Sequence, residues 1–160
     1  MELMRSIAIQ WSHRGLLLSP LLLITFALPV FATLGADVSS VQSDQARMKA
    51  AVNVSRATNY TVHEMKAADG TAVREFVSPS GQVFGVAWSG PFQPDLKQVL
   101  GPYYDHVVAT VKNRRVSHNA PISIQEPGLV VEMSGHMRYY TGRAYVPSML
   151  PQGVQTTQIK

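Results

Sequence analysis

The chain has 160 residues, 46% of them hydrophobic, with 14 Lys+Arg against 10 Asp+Glu, a formal net charge of +4 and no cysteine. Without cysteine it has no disulfide, no thiol nucleophile and no cysteine-ligated zinc site. The basic surplus is small and scattered, Lys112, Arg114 and Arg115 form its one cluster, and no nucleic-acid motif accompanies it, which excludes nucleic acid as a partner.

Arg5, His13 and Arg14 precede an apolar run over residues 16–30, which ends at Val30-Phe31-Ala32. A basic start, a short apolar stretch and a small-residue exit make a secretory signal peptide. The run falls short of the roughly 20 residues a spanning helix needs, and Pro20 and Pro29 interrupt it. Cleavage after Ala32 leaves residues 33–160 as one domain, and the membrane is met only through the signal segment. Kept uncleaved, the same segment is an anchor.

Ser39 and Gln42 can form a capping box, and Val41, Met48 and Val52 recur at helical spacing, predicting a helix over residues 40–52. Residues 60–67, 71–77 and 82–88 alternate as strands of a three-stranded antiparallel meander. Its turns, Ala68-Asp69-Gly70 and Pro79-Ser80-Gly81, each end in glycine, which accepts the left-handed position of a three-residue hairpin. A two-residue first turn would set Glu64 opposite Glu75, and directly opposed like charges destabilise a sheet. Three residues instead pair Met65 with Val73, Glu64 with Arg74, His63 with Glu75 and Val62 with Phe76.

The second turn is expected to pair Val77 with Val83, Phe76 with Phe84, Arg74 with Val86 and Ala72 with Trp88. One face then carries Tyr60, Val62, Phe76, Phe84, Val86 and Trp88. The other carries Met65, Val73, Val77, Val83, Gly85 and Ala87, whose smaller side chains admit a helix.

Leu96, Val99, Leu100, Tyr103, Val107 and Val111 form a helical stripe, preceded by Pro94 and Asp95 and interrupted at Gly101-Pro102. Two helices at an angle are predicted, over residues 94–100 and 102–111. Residues 121–125 read as a short edge strand, and 129–133 and 137–146 as strands joined near Ser134-Gly135-His136. Residues 147–160 read as an irregular tail. The expected class is α+β, an antiparallel sheet (three-stranded meander plus C-terminal hairpin) packed with two or three helices after the signal peptide.

Two constellations can carry chemistry. His63 beside Glu75, with Gly85 next across the sheet, is a carboxylate-oriented histidine and a candidate general base. His136, Arg138 and Arg143 flank glycines in the last hairpin, and guanidinium groups offer paired donors to a carboxylate or phosphate. Trp88 ends its strand at a loop, and Tyr103-Tyr104 and Tyr139-Tyr140 place aromatic rings near polar residues, which suits stacking or completes a core. His63, His106, His118 and His136 share no zinc spacing, so no metal is expected, and no cofactor motif is present.

Tyr60-Thr61-Val62-His63-Glu64, Val73-Arg74-Glu75-Phe76-Val77-Ser78-Pro79, Val83-Phe84-Gly85-Val86-Ala87-Trp88, Gly90-Pro91-Phe92-Gln93-Pro94-Asp95-Leu96 and Gly142-Arg143-Ala144-Tyr145-Val146-Pro147 also carry a resemblance. With Thr33-Leu34-Gly35, Ala46-Arg47-Met48-Lys49 and Gly135-His136-Met137-Arg138, they resemble an uncharacterised family of exported proteobacterial proteins, known only as a domain of unknown function. The resemblance implies a periplasmic or secreted place in a Gram-negative envelope, and no assigned chemistry. The function expected is a non-enzymatic binding or assembly module for an envelope protein or glycan. It would dock through one apolar sheet face or the 135–143 hairpin. The alternative is a small periplasmic hydrolase or transferase using the histidine–carboxylate pair.

Overall fold

In the computed structural model of the protein, residues 34–38, 51–114 and 120–160 are described. The signal segment and residues 40–50 of the predicted first helix lie outside them. Residues 51–52, the predicted end of that helix, instead open strand β1 (Ala51–Arg56). Val52 and Val54 alternate with Asn53 and Ser55, a period of two that extends the meander by a strand.

Strands β2 (Thr61–Lys66), β3 (Ala72–Val77) and β4 (Val83–Gly90) follow where the sequence places them. Then come helix α1 (Leu96–Leu100), a 3-10 turn (Gly101–Tyr103), helix α2 (Tyr104–Asn113), and strands β5 (Ile122–Glu126), β6 (Leu129–His136) and β7 (Tyr139–Tyr145). All seven strands form one antiparallel sheet in the order β1-β2-β3-β4-β7-β6-β5.

This architecture corrects the expected class. Among the described residues the protein is mostly β, one wide sheet with a single helical run over residues 96–113, rather than a small sheet packed with two or three helices. Two causes are visible. The C-terminal hairpin is part of the main sheet, because β7 pairs along β4 from Gly85↔Tyr145 to Gly90↔Tyr140. The Gly101-Pro102 step does break the helix, with Gly101 at φ 49° capping α1, but Pro102 opens a 3-10 turn that leads straight into α2, so the two short helices make one run on one face. The Asp95 carboxylate accepts from the Lys97 and Gln98 amides and starts the run.

The first hairpin has the expected three-residue turn, closed by the Ala67 amide on the Thr71 carbonyl at 2.9 Å, and pairs His63↔Glu75, Glu64↔Arg74 and Met65↔Val73. The second departs from expectation. Val77 does pair with Val83, but Phe76 pairs with Gly85, so Phe84 is an extra residue on β4. This is a β-bulge. The Val146 amide takes the Phe84 carbonyl at 3.0 Å, a partner the local sequence could not reveal. Past the bulge every side chain changes face. Val86 and Trp88 join Met65, Val73, Val77 and Val83, while Ala87 joins Phe76 and Phe84 on the other side.

Each face has its own cover. Val99, Leu100 and Val107 of the helical run pack against Val86, Trp88 and Val131. On the opposite face Tyr60, Phe76 and Phe84 form a cluster with ring centroids about 6 Å apart. The C-terminal segment, residues 147–160, lies over that face as a strap, bringing Met149, Leu150, Val154 and the fully buried Ile159. The aromatic face is therefore covered by the chain's own tail, which removes the premise of docking through an open apolar sheet face.

The last hairpin also turns later than predicted. β6 runs on to His136, and the turn falls at Met137-Arg138, with φ 45° and 65°. Gly135 marks a different need. It faces Tyr140, and a Cβ there would stand 2.8 Å from the ring.

Candidate functional site

The histidine–carboxylate pair is built as the strand register dictates, but it is not a pocket. His63 is half-buried and Glu75 is 1% exposed on the face under the helical run. Burial pushes the His63 imidazole below its ordinary pKa. The bulge at Phe84 moves Gly85 to the other face and sets Val86, fully buried, opposite Glu75. The space expected beside the pair is thus filled by an isopropyl group, and neither residue lines any of the three cavities described.

Arg143 is turned to the strap side of the sheet, and its donors are committed. Its Nε donates to Glu132 Oε2 at 2.8 Å, Nη2 lies 2.8 Å from the same oxygen, and Nη1 donates to the Thr156 carbonyl at 2.8 Å and the Ile159 carbonyl at 3.4 Å. Arg74 repeats the device: Nε to Glu64 at 2.8 Å, Nη1 to the Lys160 carbonyl at 2.7 Å. Two cross-strand arginine–glutamate pairs thereby clamp the strap onto the sheet, each carboxylate aiming its guanidinium. Arg143 is a clamp here rather than a gripper of ligand. A cavity of about 600 Å³ adjoins the clamps, lined by Ser89, Ser123, Glu132, Thr141 and Arg143.

His136, Arg138 and Trp88 do come together, in a larger groove of about 880 Å³ between the helical run and the β6–β7 hairpin. Leu100, Val107, Val108 and Val111 form the helical wall. Trp88, Met133 and Tyr140 form the sheet wall, and the hairpin tip projects beyond it with Met137 88% exposed. Trp88 is held by the absence of a side chain opposite, since a Cβ on Gly142 would stand 2.3 Å from its Cζ2.

Lys112, Met133 and Val108 are groove residues that sequence reasoning missed, and it placed Val111 only in the helical stripe. The helical stripe was the signal for the helical wall, but a stripe says which side of a helix is apolar and not where the sheet beneath falls away. The tip is strained as well as exposed. Met137 and Arg138 both hold the left-handed region that a two-residue hairpin requires and that side chains disfavour.

Among the described residues, no three His, Asp or Glu side chains gather where they would hold a metal ion, and no helix is long and apolar enough to cross a membrane.

These features define a class: a mostly β domain with one antiparallel sheet, a helical run on one face, a clamped strap on the other, and an apolar groove at the hairpin end. The chain belongs to the family described as "Protein of unknown function (DUF2844)", which matches residues 30–159. Comparison with curated proteins and with solved structures finds no match.

Proposed function

We propose that this protein is a non-enzymatic binding module of the Gram-negative envelope, delivered there by its N-terminal signal segment, and that it binds an apolar partner in the groove between the helical run and the β6–β7 hairpin. One observation carries the reading. The groove of about 880 Å³ has apolar walls and lies under a projecting hairpin whose Met137 side chain is almost wholly in solvent. Ligand sites are typically concave, mostly apolar and of this volume. The tip beside the groove holds two side chains in the left-handed region, and such strain gathers at ligand clamps and switch regions.

The neutral dye Nile red, whose emission rises in apolar surroundings, tests this. Wild-type protein raises its fluorescence, and Val108→Trp, which fills the groove from the helical wall, abolishes the rise with circular dichroism unchanged. An equal rise with both proteins refutes the groove reading. The export half is tested by cell fractionation and N-terminal sequencing. A periplasmic product beginning at Thr33 is expected, and a cytoplasmic product beginning near Met1 refutes it.

A further inference from the structure

Resting on the groove reading above, we infer that the groove takes an anionic single-chain amphiphile, a long acyl chain ending in a carboxylate or phosphate. The groove has a charged end and an apolar end. His106 Nε2 lies 2.7 Å from Glu126 Oε2, and Arg114 Nη1 donates to the Ser123 carbonyl at 2.6 Å. These contacts run α2 antiparallel to β5, so the C-terminal end of α2 lies over the start of β5. Ile122 there pairs with Met133, and β6 continues from Met133 to the hairpin tip. Lys112 is thereby brought to the same end of the groove as His136 and Arg138. Leu100, the last residue of α1, lies beyond the opposite end of α2, whose first residue Tyr104 is more than two helical turns from Lys112.

Among the described residues lining the groove, Lys112 and Arg138 are the charged ones and no carboxylate is present. An anion at that mouth meets two cations and no repulsion. The body of the ligand follows from the sheet wall. Trp88, Tyr140 and Met133 of the sheet wall come from the neighbouring strands β4, β7 and β6, so a ligand under the helical run lies on a face and not along an edge. An extended peptide lying there would lose water from its amides and gain no ladder in return. An acyl chain has no polar group along its length and loses nothing. Met133 and Met137, unbranched and polarizable, adapt to such a chain.

The protein, expressed from its full-length sequence and purified as the cell processes it, is delipidated and loaded with Nile red. Palmitate, hexadecyl phosphate and hexadecanol then compete for the dye. Both anions are expected to displace it at concentrations at least tenfold below the alcohol. Lys112→Glu with Arg138→Glu brings that ratio close to one. The ratio is taken within each protein, so it does not depend on how tightly each holds the dye. Equal displacement by acids and alcohol overturns the inference, as does a preference that survives the double substitution or stronger displacement by an acidic, apolar peptide. In those three cases dye binding persists and the groove reading stands. Absence of dye binding in the wild type overturns both.

Discussion

Ile159→Ala tests the strap most directly. Ile159 is fully buried, and its Cδ1 would lie 3.2 Å from a Cβ on Gly85, so the side chain fills the space that this glycine leaves. The substitution removes three buried carbon groups, a transfer cost of about 2.4 kcal/mol at ~0.8 kcal/mol each. A cavity term adds to this. It is modest because the strap is a surface segment and can settle toward the sheet, giving a total of about 3 kcal/mol. For a domain of this size that lowers Tm by about 12 °C. Urea unfolding monitored by circular dichroism measures it. Binding of an apolar dye should also rise, because a loosened strap uncovers Tyr60, Phe76 and Phe84. Substituting Val154, which is less deeply placed, should cost less. A loss below about 0.5 kcal/mol, in the range of ordinary surface substitutions, would refute the strap as a cover of the aromatic face.

Arg138→Gly relieves a left-handed side chain at φ 65°, and is expected to stabilise the protein by about 1 kcal/mol while weakening the preference for anionic ligands; thermal melts and the dye competition read the two effects. Gly142→Ala forces a methyl group against Trp88, where no rotation of a flexible chain end can give way. It should cost about 3 kcal/mol and shift the Trp88 emission, measured by chemical denaturation and fluorescence. His63 has its pKa lowered from 6.5 by desolvation, so the unfolded chain takes up that proton first as the pH falls. Its contribution to stability is whole above pH 6.5 and is lost as the pH falls through the lowered value. His63→Gln should flatten that part of the stability profile, and an imidazole titration by NMR at or above 6.5 would contradict it.

Much of the first half of the sheet was legible from residue chemistry. Opposed glutamates exclude one register for the first hairpin, and the other register is the one found, with His63 beside Glu75. The second hairpin misled at a single residue. The carbonyl that makes Phe84 a bulge is satisfied by Val146, far along the chain, and nothing between Val77 and Val86 announces it. The consequence is large because strand side chains alternate, so one added residue exchanged Val86 for Gly85 beside the histidine–carboxylate pair and closed the expected pocket. The last hairpin misled for a related reason. Gly135 invites a turn, yet it serves to admit the Tyr140 ring, and the turn is made by Met137 and Arg138 at the cost of strain.

Sequence alone determined what short-range chemistry can determine. Alternation sets the strands, glycine-ended turns set the first hairpin, the stripe from Leu96 to Val111 sets the helical face, and the lack of cysteine rules out disulfides. Tertiary structure decided the rest. It joined the C-terminal hairpin to the meander as one wide sheet, laid the strap across the aromatic face, and turned Arg143 from a candidate ligand group into a clamp. It also opened the groove that gathers Trp88, Lys112, His136 and Arg138. The reason is range. Alternation, capping and like-charge repulsion act over a few residues, whereas a bulge, a strap or a groove depends on which distant segment supplies the missing hydrogen bond or fills the space beside a glycine.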